Sequence, residues 1–386
     1  MTLLTKTEEV AELCEGLARE PFVALDTEFM RDRTYWPKLC LVQIAGQSRF
    51  AAIDPLAPGI DLTPLFALMA NPAVVKVFHA CRQDVEIFHH LSGAIPTPLF
   101  DTQLAAMVCG YGEEVGYETL VTRVAKARID KSSRFTDWSR RPLSPQQLEY
   151  ALGDVIHLRV IYQKLEAQLR QTGRTGWVAQ ELADLTDPNT YEQPPEEAWR
   201  RIKVRSRDAR FLAIVRALAA WREQEAQRRD LPRNRVLRDD LLLELAASQP
   251  RSAEDIARLR RVSLDRTSIA SAMAAVRSAL DLSESELPVV EPPAKLPRGI
   301  GPLVDLLRVL LKYQCEEHHV AQRLVATTAD LEAIAAFDAP DVPALRGWRL
   351  EVFGRSALTL KQGKVGLAVT EGQVVVVPMA DVTAPA

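Results

Sequence analysis

Residues 22–54 read FVALDTEFMRDRTYWPKLCLVQIAGQSRFAAID. Three short apolar runs lie in this stretch, Phe22–Thr27, Leu39–Ala45 and Phe50–Asp54, with turn residues near their ends. They stand too close together for helices to fit between them, so the stretch predicts an antiparallel meander. The first run ends in Asp26-x-Glu28. Residues two apart on a strand point to one face, so the two carboxylates face the same way. They repel unless something cationic sits between them, and oxygen donors suit Mg²⁺ or Mn²⁺. Taken alone, Asp-x-Glu also describes a solvated turn at a strand end.

Beyond the meander, Val74–Phe78 is a further strand signal, followed by a helical pattern over Arg82–Leu91 that stops at Gly93. Strands that first pair directly and then alternate with helices predict a mixed sheet flanked by helices. Asp84 falls at or near the start of that helix, where the macrodipole alone favours an acid. Ser144-Pro-Gln-Gln147 is a capping box with proline at the first helical position. It predicts a helix of about 26 residues, with an apolar stripe of Leu148, Leu152, Val155, Leu158, Tyr162, Leu165 and Leu169. Tyr150 and Asp154 are four apart on a neighbouring face, one turn above each other.

Asp26, Glu28, Asp84 and Asp154 with Tyr150 make a chemical argument together that none makes alone. Phosphodiester hydrolysis needs an activated water, a stabilised leaving oxygen and neutralisation of the phosphate. A pair of metal ions supplies all three. Four carboxylates balance the charge of two divalent cations before the phosphate arrives.

The rest of the chain supplies the setting. Its 386 residues predict two or three domains, and 47% hydrophobic with 26% charged residues is ordinary for soluble globular protein. No apolar run approaches the ~18 residues of a membrane span. Glu8 and Glu9 interrupt any apolar signal core, and five scattered cysteines argue against a disulfide framework, so a cytoplasmic protein is expected. The net charge of -3 hides a polarity: residues 1–199 carry -8, 200–280 carry +9 and 281–386 carry -4. Of the 19 basic residues in the middle segment, only Lys203 is lysine. An arginine-rich block beside an acidic one suggests a polyanion-binding module next to something that uses carboxylates, or a helical surface whose arginines pair with local acids. Proline-rich stretches at 184–197 and 281–301 read as linkers. After Arg200 the pattern is helical until a hairpin, Val365–Val369 and Val374–Val377 around Glu371–Gly372. The two helical segments are of similar length and read as candidate copies of one module, with little residue identity between them.

Three motifs carry a family resemblance: LDTEF with its extension MRDRTYWPKLCLVQIA; KVFHACRQDVEIF followed by FDTQLAA; and LEYALGDV preceded by DKSSRFTDWSRRPLS. In combination they resemble ribonuclease D, of the tyrosine-containing branch of the DEDD 3′→5′ exonucleases, strongly over residues 20–170. RALAAWREQEAQRRDLPRNRVLRDDLLLELA resembles the helical domain shared by RecQ-type helicases and ribonuclease D. The resemblance implies an α/β then all-α chain. An RNase H-like exonuclease domain of about five strands occupies 1–184, a helicase-and-RNase-D C-terminal domain 185–281, and a second, divergent helical domain 282–386. It implies two divalent ions, Mg²⁺ or Mn²⁺, with Asp26 bridging both, Glu28 and Asp154 on the ion that activates water, and Asp84 on the other. Tyr150 positions the water. The implied substrate is RNA, notably tRNA precursors, shortened from the 3′ end to nucleoside monophosphates by a monomer away from membranes. DNA as substrate and a non-catalytic RNA-binding scaffold are the alternatives.

Other residues are weaker candidates for holding substrate. Thr27 and Phe29 flank the ligands, with Phe29 equally a core residue. His79 reads as a packed or supporting residue sooner than a ligand. Lys131, Arg134, Trp138, Arg140 and Arg141 precede the long helix and either grip phosphates and stack a base or form an ordinary surface loop. Arg229, Arg233 and Arg235 surround Asp230-Leu-Pro-Arg233 and either bind phosphate or dock against the acidic segment.

Overall fold

The computed structural model describes residues 2–129, 136–257, 264–289 and 295–379. Its centre is a six-stranded sheet of β1 (Leu3–Leu4), β2 (Phe22–Met30), β3 (Lys38–Ala45), β4 (Phe50–Ile53), β5 (Val75–Phe78) and β6 (Leu99–Asp101), in the spatial order β1-β4-β3-β2-β5-β6. β2, β3 and β4 form the antiparallel meander, while β1, β5 and β6 pair in parallel with β4, β2 and β5. The sheet therefore has six strands where about five were implied. The additional edge, β1, is two residues long, too short to show a period in sequence.

Helices α1 (Thr7–Leu17), α2 (Thr63–Ala70), α3 (Arg82–Ser92), α4 (Thr102–Val108), α5 (Tyr117–Leu120), α6 (Pro145–Thr172) and α7 (Thr175–Thr186) surround the sheet. α6 begins at the capping box: Gln147 N–H donates to Ser144 Oγ at 3.1 Å, and Ser144 N–H to Gln147 Oε1 at 2.9 Å. Such a cap is worth about 1 kcal/mol and fixes where the helix starts, hence the phase of Tyr150 and Asp154. The helix ends at Gly173 in the left-handed conformation. Val155, Leu158, Ile161, Leu165 and Leu169 bury its stripe against the sheet, and Ala151 and Leu152 join a smaller core with Cys40, Leu41, Ala52, Trp138 and Leu143. Lys76 of β5 is also fully buried; its Nζ donates to the carbonyls of Asn71 at 2.7 Å, Val74 at 2.6 Å and Thr97.

Two helical units follow, each with its own core. The first contains α8 (Ala209–Arg229), α9 (Arg233–Val236), α10 (Asp239–Ser248), α11 (Ala253–Ala257) and α12 (Arg266–Leu280). The second contains α13 (Gly301–Glu317), α14 (Gln322–Val325), α15 (Thr328–Ala336), α16 (Gly347–Arg349) and α17 (Arg355–Lys361). A hairpin of β7 (Val365–Thr370) and β8 (Gln373–Pro378) closes the chain, turning on Glu371 and Gly372, both with positive φ. Among the described residues no helix is long and apolar enough to cross a membrane.

The two units repeat one another at a shift of 89 residues. Each long helix ends in a left-handed residue, Asp230 at φ 48° and His319 at φ 47°. Backbone bonds then match in pairs: Leu231 N to Ala226 O and Val320 N to Cys315 O, both 3.0 Å; Leu237 N to Arg233 O and Ala326 N to Gln322 O, both 3.0 Å. Buried Val236, Leu242, Leu245 and Ala246 correspond to Val325, Leu331, Ile334 and Ala335.

Both left-handed turns face the nuclease sheet region. Asp230 Oδ1 accepts the N–H groups of Tyr35 and Trp36 at 3.0 and 2.9 Å, and Tyr35 inserts into the first unit's core, its hydroxyl on Glu223 at 2.5 Å. The docking groups are thus a carboxylate and a tyrosine, not arginines. On the other unit, the His318 and His319 carbonyls accept from Arg174 at 2.6 and 3.2 Å, and Ala321 N–H donates to Met107 O at 3.0 Å. Gly110, at φ 80°, sits so close that a Cβ would lie 2.5 Å from the His319 carbonyl, which only glycine permits. Trp177 and Trp348 stack at 4.4 Å beside the Arg349–Glu181 ion pair.

Candidate active site

β2 carries two of the acids. Phe22–Leu25 are buried and anchor the strand, while Asp26 and Glu28 are half-buried beyond them. The register between β2 and β3 shifts between Glu28 and Phe29, a bulge immediately after the second acid. α6 crosses the same sheet and delivers Asp154. Carboxylate oxygens of Asp26, Glu28 and Asp154 all lie within 4.8 Å of one another. Asp84, in the first turn of α3, stands outside that trio. It is buried and accepts a 2.5 Å hydrogen bond from Thr27 Oγ1, close enough to Asp26 for the two carboxylates to repel.

The charges conflict. Burial, then the Asp154 carboxylate, hold the Asp26 carboxyl well above the ordinary carboxylate range. Burial, then Asp26, do the same to Asp84, partly opposed by the Thr27 hydrogen bond. An all-oxygen set of mutually repelling acids fits hard divalent cations, which relieve the repulsion that raises these pKa values.

Asp26 and Asp154 open into a cavity of about 390 Å³ walled by His79, Gly116, Tyr117, Glu118, Thr119, Ile129, Tyr150 and Leu158. A second cavity of about 380 Å³ lies beside it, sharing Ile129 and Tyr150 and reaching Phe50, Arg128 and His157. Tyr150 therefore stands in the wall common to two hollows. His79 Nδ1 lies 3.0 Å from Thr102 Oγ1, and burial lowers its pKa, so the ring is packed and neutral; it is not in the acid cluster. The loop leading to α3 is held by Asp101, which accepts the N–H groups of Ala80 at 3.1 Å and Cys81 at 2.8 Å and caps α4 through Gln103 N–H at 2.7 Å.

Tyr117, Glu118 and Thr119 were not among the sequence candidates. The Tyr117 hydroxyl donates to the carbonyls of Gly153, at 3.2 Å, and Asp154, tying α5 to the turn of α6 that carries the acid. The one local signal, Gly116 ahead of Tyr-Glu-Thr, marks a helix start, not a site.

Several expectations need correction. Trp138 is 3% exposed and packs in the small core under α6, so it offers no open face to a base. Arg141 forms a bidentate pair with Asp54, both bonds 2.6 Å, and donates to the carbonyls of Cys40, Trp138 and Arg140. Its guanidinium is committed to the fold rather than to phosphate. Thr27 spends its hydroxyl on Asp84 and is 6% exposed, which leaves its side chain no contact with a nucleotide. Phe29 is half-buried against the main core. Arg140 is exposed and pairs only with its neighbour Asp137. Lys131 and Arg134 lie outside the described residues. Arg229 approaches Asp265 at 3.7 Å, Arg233 approaches Glu223 at 3.8 Å, and Arg235 is exposed; all three lie at the α8–α9 corner.

Residues 1–170 match the family described as 3′-5′ exonuclease, and residues 211–266 match the HRDC domain. The chain is 50% identical over 379 residues to the ribonuclease D of Granulibacter bethesdensis, covering 97% of this chain and 95% of that protein. It is 50% identical over 378 residues to the ribonuclease D of Nitrobacter hamburgensis, covering 97% and 99%. Among solved structures, that of Escherichia coli RNase D, described as an exoribonuclease involved in structured RNA processing, matches at a TM-score of 0.78 and 31% identity. The match covers 94% of this chain and 98% of that one.

Proposed function

The chain belongs to the ribonuclease D family of 3′→5′ exoribonucleases, and on that premise we propose that it trims the 3′ ends of structured RNA, tRNA precursors among them. It releases one nucleoside 5′-monophosphate at a time and works as a cytoplasmic monomer. Asp26, Glu28 and Asp154 would hold one Mg²⁺ or Mn²⁺ ion, and Asp26 with Asp84, directly or through water, a second. The observation that carries this reading is the convergence of three carboxylates within 4.8 Å, two of which, Asp26 and Asp154, line the Tyr150 cavity. When bound, the ions supply an activated water, a stabilised leaving oxygen and charge neutralisation at the phosphate.

The protein's own groups do the rest. Thr27 keeps the Asp84 carboxylate turned toward β2. The Tyr150 hydroxyl orients the attacking water, and the apolar walls Ile129 and Leu158 cover the terminal nucleoside. The segments divide the work: residues 1–184 cleave, while 185–281 bind the body of the RNA. The α8–α9 corner, with Arg229, Arg233 and Arg235, docks on the loop that continues the catalytic strand, which supports a path for RNA from the arginines to the acids.

The test is a matched digestion of 3′-extended tRNA and single-stranded DNA of the same sequence, labelled at the 5′ end, with Mg²⁺, Mn²⁺ or chelator. Stepwise shortening of the RNA that stops in chelator, with DNA much slower, is expected. Faster DNA digestion, or shortening that persists in chelator, would overturn the reading.

A further inference from the structure

Gln43 is the one fully buried side chain among the described residues whose amide nitrogen and oxygen both lack a hydrogen-bond partner. It lies in β3 directly opposite Asp26 of β2. Directly opposite residues of an antiparallel pair project to the same face, with Cβ atoms roughly 4.5–5.5 Å apart. The amide is therefore on the face of the sheet that bears Asp26 and Glu28 and that α6 covers. The neighbours that this register gives Gln43 are small or apolar: Ala52 opposite it on β4, and Leu41 and Ala45 two residues either side on β3. None of them has a side chain that can hydrogen-bond an amide.

A buried amide with neither atom bonded is costly, roughly 1–3 kcal/mol per unsatisfied group. Methionine would fill the same volume without that cost. The position holds glutamine nonetheless, beside the carboxylate whose charge the site most needs to control. An amide suits that place: it donates to a carboxylate without adding a further negative charge to a cluster already in conflict.

We infer that Gln43 is a positioning residue for the metal site, its amide donating to the Asp26 carboxylate when the acids hold a divalent cation and so fixing the orientation of that ligand. This rests on the proposal that the acids bind metal. Partners of this kind typically change metal affinity by roughly 10–100-fold when removed.

The test uses full-length protein and Mn²⁺ alone as the probe. Mn²⁺ affinity is measured by the electron paramagnetic resonance of the free ion. Thermal unfolding is followed in chelator and in Mn²⁺. Gln43→Met and Gln43→Leu each remove the amide at similar volume, and Asp26→Asn is the control for the metal site itself. The expected result is unfolding in chelator at the wild-type temperature or above, Mn²⁺ affinity lower by roughly 10–100-fold, and a smaller gain in unfolding temperature on adding Mn²⁺. Wild-type Mn²⁺ affinity in either variant, with binding lost in Asp26→Asn, would overturn the role of Gln43 and leave the metal site standing. A lower unfolding temperature in chelator with unchanged Mn²⁺ affinity, or failure of both variants to fold, would make the amide part of the fold and also overturn it. No Mn²⁺ binding by the wild type would instead remove the metal reading.

Discussion

Replacing Asp26 by asparagine should make the metal-free protein more stable while abolishing cleavage. The reasoning starts from distance. Carboxylate oxygens of Asp26, Glu28 and Asp154 approach within 4.8 Å. Two unit charges at that separation repel by roughly 3.5 kcal/mol at an effective dielectric constant of about 20. These groups are half-buried and two of them line a cavity, so water screens part of this, and about 1 kcal/mol per pair is a more realistic net cost. Asp26 takes part in such a pair with each of the other two and also faces Asp84, so neutralising it should recover about 2 kcal/mol. For a cooperative unit the size of the nuclease segment that is roughly 4–8 °C in unfolding temperature.

The pH dependence has a definite sign. The Asp26 and Asp84 carboxyls titrate well above their unfolded values. The metal-free folded state therefore binds more protons than the unfolded state from about pH 4 up to those raised pKa values, and stability falls as pH rises through that window. In chelator, the wild type should unfold at a higher temperature at pH 5 than at pH 8, and Asp26→Asn should lose most of that difference. Adding Mn²⁺ should reverse the ranking, since a ligand at 100 times its Kd stabilises by about 2.7 kcal/mol only the protein that binds it. Differential scanning fluorimetry in chelator and in Mn²⁺ at both pH values measures all four quantities. An Asp26→Asn protein that melts at or below the wild-type temperature in chelator at pH 8 would refute the claim that these carboxylates are in conflict.

Three further substitutions probe the scaffold. Lys76→Met should cost about 2–4 kcal/mol in urea denaturation at pH 7.5, because three buried carbonyls lose their donor. Burial pulls the Lys76 pKa down to about 8, so the unfolded state binds more protons between about pH 8 and 10; stability should rise across that range in the wild type relative to the variant, and equal slopes would count against it. Arg141→Lys keeps the charge but not the two-pronged contact with Asp54, so about 2–3 kcal/mol of stability should go while KM for RNA is unchanged; a raised KM at unchanged stability would return Arg141 to the substrate. Asp230→Gly suits the backbone at φ 48° but deletes the acceptor for Tyr35 and Trp36, and limited proteolysis within 187–208 should quicken several-fold. Unchanged proteolysis would mean that Tyr35 holds the unit unaided.

What was legible in the sequence is what depends on neighbours along the chain. Close spacing of apolar runs dictated the meander, period two put Asp26 and Glu28 on one face, and the Ser144 capping box set the phase that brings Tyr150 and Asp154 to the sheet. What was not legible depends on partners far along it. Arg141 looks like a phosphate grip until Asp54, 87 residues away, occupies its fork. Trp138 looks like a stacking platform until Cys40, Leu41 and Ala52 close over it. Thr27 differs again: its place between the two acids was readable, but that α3 would present Asp84 to its hydroxyl required the fold.

The helical repeat was hidden for a different reason. The two units have in common a left-handed turn, a four-residue helix and a few aliphatic positions, and many residues satisfy each of these. Asp230 and His319 adopt the same φ with unlike side chains, and the difference decides how each unit docks. Asp230 uses its carboxylate, so the first unit spends acids on the interface: Asp230 on the Tyr35–Trp36 backbone, and Glu223 on the Tyr35 hydroxyl. The second unit uses the His318 and His319 carbonyls and spends no charge at that turn. Asp230 is engaged by backbone donors, while Glu223, besides the Tyr35 hydroxyl, pairs with Arg201 at 3.5 Å and Arg233 at 3.8 Å. One buried carboxylate thus serves both the docking tyrosine and two of the first unit's arginines, so the interface and the charge of that unit are set together.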